Sequence, residues 1–209
     1  MKHDAPKSTT KAMESSPKRR QRLALDEVVE AAARLADREG LAAVRMSQVA
    51  NELGRNHSSL YNHVESMEAL HREIALRTTA DLADALTAAA VGRSGRDAIF
   101  AVAHAYRQYV SAHRGRFQAA YTIRFSDDPE VSAVFQRASG IIEASLRSFG
   151  LDRHATFRAH LAISAAIRGF VIGEAQIAEA ESDPDSAFDD MIELFVAGLG
   201  AGGWHGAKR

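Results

Sequence analysis

Arg45-Met-Ser-Gln-Val-Ala-Asn-Glu-Leu-Gly54-Arg-Asn-His-Ser-Ser-Leu-Tyr-Asn-His63 reads as two short helices hinged on one glycine. Val49, Ala50 and Leu53 recur at helical spacing and give the first helix an inner face, with Ala50 small enough for close helix approach. Gly54 supplies the left-handed backbone that a sharp turn demands. Beyond it Leu60 and Val64 stand one turn apart and face inward, leaving His57, Ser58, Ser59, Tyr61 and Asn62 on the other side. Short polar side chains let a helix sink deep into a groove, where hydroxyls, an amide and imidazoles bond base edges or phosphates. The layout is that of a helix-turn-helix whose second helix enters a DNA groove.

The chain on either side is also helical in pattern. Upstream, Asp26 suits an N-cap and Val28, Val29, Ala32, Leu35 and Ala36 share one face, so order is expected from near Leu25 until Gly40. The pair itself should run from about Met46 to Leu53 and from about Ser58 to Val64, and Ser66 should cap a long fourth helix carrying Leu70, Ile74, Leu82 and Leu86. Breaks are expected at residues 91–95 and, more weakly, at His113-Arg-Gly115, before a short helix with Phe117 and Tyr121. Asp127-Asp128-Pro129 opens another helix, which Gly150 closes. The longest helix is expected from about Asp152 to Glu181 and the last from Phe188 to Leu199. No stretch alternates with period two for long enough to be a strand. The expected fold class is all-α, about nine helices, in four parts: a disordered basic arm (1–22), a three-helix helix-turn-helix domain (23–67), a larger helical domain (68–200) and a Gly-rich tail (201–209).

Composition narrows the function. The 209 residues hold no cysteine, which excludes disulfides and thiolate chemistry. Charges interrupt the apolar stretches before the ~18 residues of a membrane span, and no apolar core follows the N-terminal charges, so a cytoplasmic protein without membrane contact is expected. The net charge of −1 is unevenly spread: seven Lys/Arg against two acids in residues 1–22 leave the remainder at −6. A basic arm on an acidic body suits phosphate attraction, although a solvated tail has the same composition. Its place directly ahead of a helix-turn-helix favours the first reading.

Gln48-Val-Ala-x-x-Leu-Gly-x-x-x-x-x-Leu-Tyr-x-His-Val, followed by Ser66-x-Glu68-x-Leu70 and preceded by Ala31-Ala-x-x-Leu35-x-x-x-x-Gly40-Leu, resembles the TetR family of bacterial one-component repressors. The resemblance covers residues 23–75. Further on, Phe188-x-x-Met-Ile-x-Leu-Phe-x-x-Gly198-Leu resembles the last helix of many members. Residues 161–175 resemble the WHG type of C-terminal domain, although Arg168-Gly169 lacks its tryptophan and histidine.

The resemblance implies that Tyr61 and His63 grip phosphates, that His57, Ser58, Ser59 and Asn62 face base edges, and that Ser47 approaches the DNA backbone. Arg45 and Arg55 complete the candidate set. Arg45 stands where the family usually has a capping threonine, which implies another cap or a new phosphate contact. Ser47 and Met67 replace a frequent arginine and lysine, and residues 23–75 hold five Lys/Arg against nine Asp/Glu. The arm is therefore expected to supply missing electrostatics.

A regulator needs a second state, and the helical remainder is where an effector would bias it. Candidate lining residues are His104, Tyr109, Phe117, Tyr121, Phe125, His160, Ser164 and Arg168. His160, Ser164 and Arg168 recur about one turn apart, as polar hooks in an apolar cavity, and Arg168 suits an anionic effector. Each residue taken singly also fits a packing role. Small residues run through the last two long helices (Ala159, Ala162, Ala165, Ala166, Gly169, Gly173, Ala175 and Ala178, then Ala197 and Gly198), and the resemblance implies a homodimer through them. No cofactor, catalytic residue or metal site is expected: no Ser-His-Asp order, phosphate loop or metal-ligand spacing is present. Two readings remain, a regulator of a near-palindromic double-stranded DNA operator released by a small molecule, and an architectural DNA-binding module without a ligand.

Overall fold

The computed structural model describes residues 17–122, 128–174 and 183–200. Among them are nine α-helices and no strand: α1 (Pro17–Glu39), α2 (Met46–Glu52), α3 (His57–Leu60), α4 (Met67–Ala90), α5 (Gly95–Ala112), α6 (Arg114–Thr122), α7 (Pro129–Leu146), α8 (Arg153–Glu174) and α9 (Pro184–Gly200). Short 3-10 turns lie at Leu41–Ala43 and Arg147–Phe149. The all-α class holds. Phe125, Ala175, Ala178, the tail 201–209 and most of the basic arm lie outside the described residues.

Side-chain caps start several helices where expected. Ser66 Oγ accepts the Ala69 N–H at 3.0 Å. Asp128 accepts those of Glu130 and Val131 at 3.0 and 3.2 Å, with Pro129 at the first helical position. Several boundaries differ from the pattern, that of the last helix among them, which begins at Pro184 and not at Phe188. Helix α1 begins at Pro17, not near Leu25, because a proline followed by Lys, Arg and Gln is a helix start built of good helix formers. Asp26 is therefore mid-helix and caps nothing; its carboxylate takes Arg77 Nη2 of α4 at 2.5 Å. Helix α3 is one turn, and the chain stays wound to Val64 through N–H bonds of His63 and Val64 to the Leu60 carbonyl. Gly115 does not break the chain; only His113 does, and Gly115 sits inside α6.

The helices enclose two apolar cores. One gathers the inner faces of α1 and α2 with Leu60, Val64, Leu70 and Ile74. The other gathers Leu82 and Leu86 with residues of α5 to α9, Phe188 and Ile192 among them fully buried. Helix α4 serves both, and the cores divide along it between Ala75 and Leu82. Helix α8 is long and apolar enough to cross a membrane by length and composition, contrary to the expectation that charges interrupt every such stretch. Its charges cluster near its ends, and Ile163, Ile167 and Val171 pack into the second core.

Helix α6 bridges the two bodies. Ala119 belongs to the first core and Phe117 to the second. The approach to α1 is closest at Gly115, where a Cβ would stand 1.8 Å from the Ala36 carbonyl oxygen. Arg116 reinforces the contact, its backbone N–H donating to Asp37 Oδ1 at 2.9 Å and its Nε to Oδ2 at 2.6 Å. No rotamer relieves a Cβ–backbone overlap. Gly115→Ala is expected to lower the urea midpoint by the equivalent of about 3 kcal/mol or more, the upper range of overpacking. An unchanged midpoint would show that α6 and α1 part without cost.

Candidate functional site

Helices α2 and α3 meet as the spacing requires. Gly54 has φ +60, and the Arg55 N–H returns to the Ala50 carbonyl at 2.9 Å, closing the turn. Met46, Val49, Ala50, Leu60 and Val64 are buried, which fixes what the opposite side shows. Ser47, Arg55, His57, Ser58, Tyr61 and Asn62 are exposed together. The Tyr61 ring meets the His57 ring edge to face at 5.2 Å, so one aromatic pair stands on the reading face.

Four candidates are held differently from expectation. Arg45 provides no side-chain cap for α2; it donates to the carbonyls of Ala42 and Val44 at 2.6 and 2.9 Å. Arg55 bonds Glu27 of α1 at 2.7 Å. Ser59 is half-buried, its hydroxyl donating to the Asn56 carbonyl at 2.6 Å. His63 is half-buried with Nδ1 shut away and without a hydrogen-bond partner. Glu52 at the end of α2 takes Arg38 at 2.8 Å and Arg34 at 3.3 Å, locking the reading unit onto α1. Four of the chain's five lysines precede residue 19, so the reading face itself offers hydroxyls, an amide and aromatic rings more than charge.

The second body encloses a cavity of about 350 Å³ between α4, α5, α6, α7 and α8. Of the expected lining, Phe117, Tyr121, His160, Ser164 and Arg168 are there; His104 and Tyr109 are not. His104 lies on the outer side of α5, bonded to Asp189 at 2.7 Å and against the Phe188 ring. Tyr109 packs against the second core, its ring 4.7 Å from that of His113. Five lining residues share α8 because 157, 160, 161, 164 and 168 fall on one face at helical spacing. Pattern reading missed Tyr106, which faces the cavity from α5 while appearing as one more member of an apolar stripe. It also missed Gln136 and Ser139, polar residues of α7 whose inward side only the packing reveals.

The polar groups of the cavity have identifiable environments. Burial pushes the phenols of Tyr106 and Tyr121 up, with each other and Arg168 as neighbours. The Arg168 guanidinium stands 4.8 Å from the Tyr121 ring centre. Burial depresses the His160 imidazole, against the opposing pull of Glu143 at 3.3 Å. Outside the cavity, burial also pushes Tyr109 up. Among the described residues no cluster of His, Asp and Glu is arranged to hold a metal.

Comparison with known proteins supplies the context of this geometry. Residues 28–74 match the family model described as bacterial regulatory proteins, tetR family, and residues 99–195 match the tetracyclin repressor-like C-terminal domain. The uncharacterized HTH-type transcriptional regulator Rv0681 of Mycobacterium tuberculosis is 36% identical over 186 residues, covering 88% of this chain and 85% of its own. YobS of Bacillus subtilis, also an HTH-type transcriptional regulator, is 27% identical over 174 residues, covering 82% of this chain and 90% of its own. The fold is shared with a regulatory protein of the tetR family from Rhodococcus RHA1 (TM-score 0.65, 19% identity, 85% of this chain and 97% of that one). It is shared as well with ActR of Streptomyces coelicolor in complex with actinorhodin (TM-score 0.60, 20% identity, 85% and 97%).

The buried phenols have a measurable consequence. Their protons are held by the folded state and released by the unfolded one above about pH 10. The unfolded chain therefore binds fewer protons there, and stability falls as pH rises through that range. Alkaline titration followed by near-ultraviolet absorbance should leave Tyr106 and Tyr109 un-ionised until the helical circular dichroism is lost. Full ionisation of all four tyrosines in a folded protein would refute their burial.

Proposed function

The chain belongs to the TetR family of bacterial transcriptional regulators, and from that premise we propose that it is a homodimeric repressor that binds a near-palindromic operator in the cytoplasm and is released by a small-molecule effector. Its relatives are regulators, not enzymes. Ser47, His57, Ser58, Tyr61 and Asn62 meet the DNA, Ser47 at the backbone and the others along α3. Ser59 and His63 stand at the edge of the contact. Arg45 and Arg55 act first within the protein, and residues 1–16 add Lys2, Lys7 and Lys11 for phosphate attraction.

The observation that carries the effector half of this reading is helix α6. It contributes Phe117, Ala120 and Tyr121 to the cavity wall and Gly115 and Arg116 to the clamp on α1. A ligand that displaces the wall moves the same rigid element that seats the reading unit. The effector acts to the extent that it binds one arrangement better than the other.

Dimerisation rests on α8 and α9. Phe157, Leu161 and Ile172 of α8 and Leu194 of α9 are large, apolar and exposed, an unusual display for helices that also pack a core. The small residues divide: Ala159 is buried in its own subunit, whereas Ala165, Gly169 and Ala197 lie on the outer side. A second copy covering this face brings two α3 helices to successive grooves.

The test is binding of the purified protein to its own upstream DNA, with unrelated DNA as control. Tyr61→Ala is expected to weaken selective binding at least tenfold (about 1.4 kcal/mol) while leaving helicity and dimer mass unchanged. Binding as tight as wild type would displace α3 from the groove. Deleting residues 2–16 is expected to flatten the salt dependence by ~0.9 in logarithmic slope for each phosphate contact removed. An unchanged slope would leave the arm a solvated tail, and equal affinity for both DNAs would favour an architectural role.

A further inference from the structure

We propose that the effector is a monocarboxylic acid with an apolar tail, its carboxylate held by Arg168 together with the hydroxyls of Tyr106, Tyr121 and Ser164. The proposal rests on the effector reading of the cavity and assigns the chemistry of its occupant.

Arg168 is the starting point. Many arginines that reach between elements have carboxylate partners, among them Arg72 with Asp128 and Glu130, Arg77 with Asp26, Arg107 with Glu174 and Asp185, and Arg116 with Asp37. Arg168 forms no ion pair among the described residues, its face lies over the Tyr121 ring, and its Nε is buried without a hydrogen-bond acceptor. One turn earlier on α8, the Ser164 hydroxyl is likewise buried and unpartnered. The Arg168 guanidinium also donates a hydrogen bond to the Tyr106 hydroxyl, which is paired with that of Tyr121. A cation with no carboxylate and an unpartnered buried hydroxyl on one cavity wall describe what is missing, an anion with more than one oxygen. The planar guanidinium edge fits a carboxylate.

The rest of the wall sets the remainder of the molecule. Leu82, Leu86, Phe135, Ile142, Phe157 and Leu161 are apolar and suit a hydrocarbon or aromatic tail. The opposite end of the α8 face discourages a second anion: His160 is held towards its neutral form, and Glu143 stands 3.3 Å from it. His160 and Arg168 are eight residues apart, about 12 Å along the helix, so the two ends are electrically distinct. One cation among hydroxyl donors matches a single negative charge. A volume of about 350 Å³ lies at the small end of ligand pockets, so the acid is compact.

The full-length protein is tested with the uncharged fluorophore N-phenyl-1-naphthylamine, displaced by decanoate, 2-naphthoate, decan-1-ol and decylammonium. The fluorophore is expected to bind the wild type and not Ala138→Phe, which fills the cavity. At least one acid should displace it at a tenfold lower concentration than the alcohol, with the amine weakest; which acid prevails tells an alkyl from an aromatic tail. Arg168→Gln should bring acid and alcohol together, and Arg168→Lys should keep part of the difference.

An alcohol as effective as both acids, or an undiminished acid preference in Arg168→Gln, overturns the carboxylate assignment while the effector cavity stands. Absence of fluorophore binding to the wild type overturns the cavity reading and this assignment with it. Acids that fail to displace a bound fluorophore overturn the assignment alone.

Discussion

The close approach of α6 to α1 is the constraint on which the molecule's two halves depend. Gly115 lets the backbones meet at a distance no side chain permits, and the adjacent Arg116 fixes the register through two bonds to Asp37. Packed backbones are stiff and have few intermediate arrangements. A shift of the cavity wall at Phe117 or Tyr121 therefore reaches α1 as a displacement of the whole element. His113, 3.5 Å from Asp37, ends α5 just ahead of α6.

Helix α4 sets the second condition. Its 24 residues supply both cores, so the reading unit and the cavity-bearing body share one helix. Arg72 and Arg77 fasten α4 on opposite sides, to the start of α7 and to Asp26 of α1. The Arg72 guanidinium and two N–H groups of α7 hold the Asp128 carboxyl down to about 2. One residue thus caps a helix and ties two elements, and the tie remains charged throughout the neutral range. The elements that would move in a response are those whose contacts are polar and few; the buried sides of α1 and α4 move as bodies.

The all-α class, the helix-turn-helix and most helix starts were legible because they depend on local rules. Ser66, Asp128 and Gly54 act within a few residues of themselves, and the period of Val49, Ala50 and Leu53 needs no distant partner. The errors fall where a distant partner decides. Asp26 looks like a cap until Arg77, 51 residues away, claims it. Gly115 reads as a break because a glycine required by a close approach is indistinguishable, in one sequence, from a glycine required by a turn. In the cavity, Phe117, Tyr121, His160, Ser164 and Arg168 were legible from their stripes, whereas His104 and Tyr106, two residues apart on α5, exchange the roles the pattern suggested. Which side of α5 faces the cavity is set by α8 and α9, not by α5.

In the proposed DNA-binding role, recognition and attraction fall to different parts of the chain. Arg34, Arg38 and Arg55 are each engaged by Glu52 or Glu27, and Arg45 is bonded to backbone carbonyls. These exposed ion pairs exchange readily with a phosphate, since each contributes little to stability. Their glutamates nevertheless remain, and a groove-facing head with a negative surplus gains little from long-range attraction. In the proposed contact with DNA, hydroxyls, an amide and the paired rings of His57 and Tyr61 would act only at contact distance, where hydrogen-bond geometry discriminates between base pairs. Lys2, Lys7 and Lys11, ahead of α1, add positive charge. On the proposed reading, affinity would be set by the lysines ahead of α1 and selectivity by α3, so a ligand that tilted α3 by way of α6 would abolish the selective part first and leave a weak, salt-sensitive attraction behind.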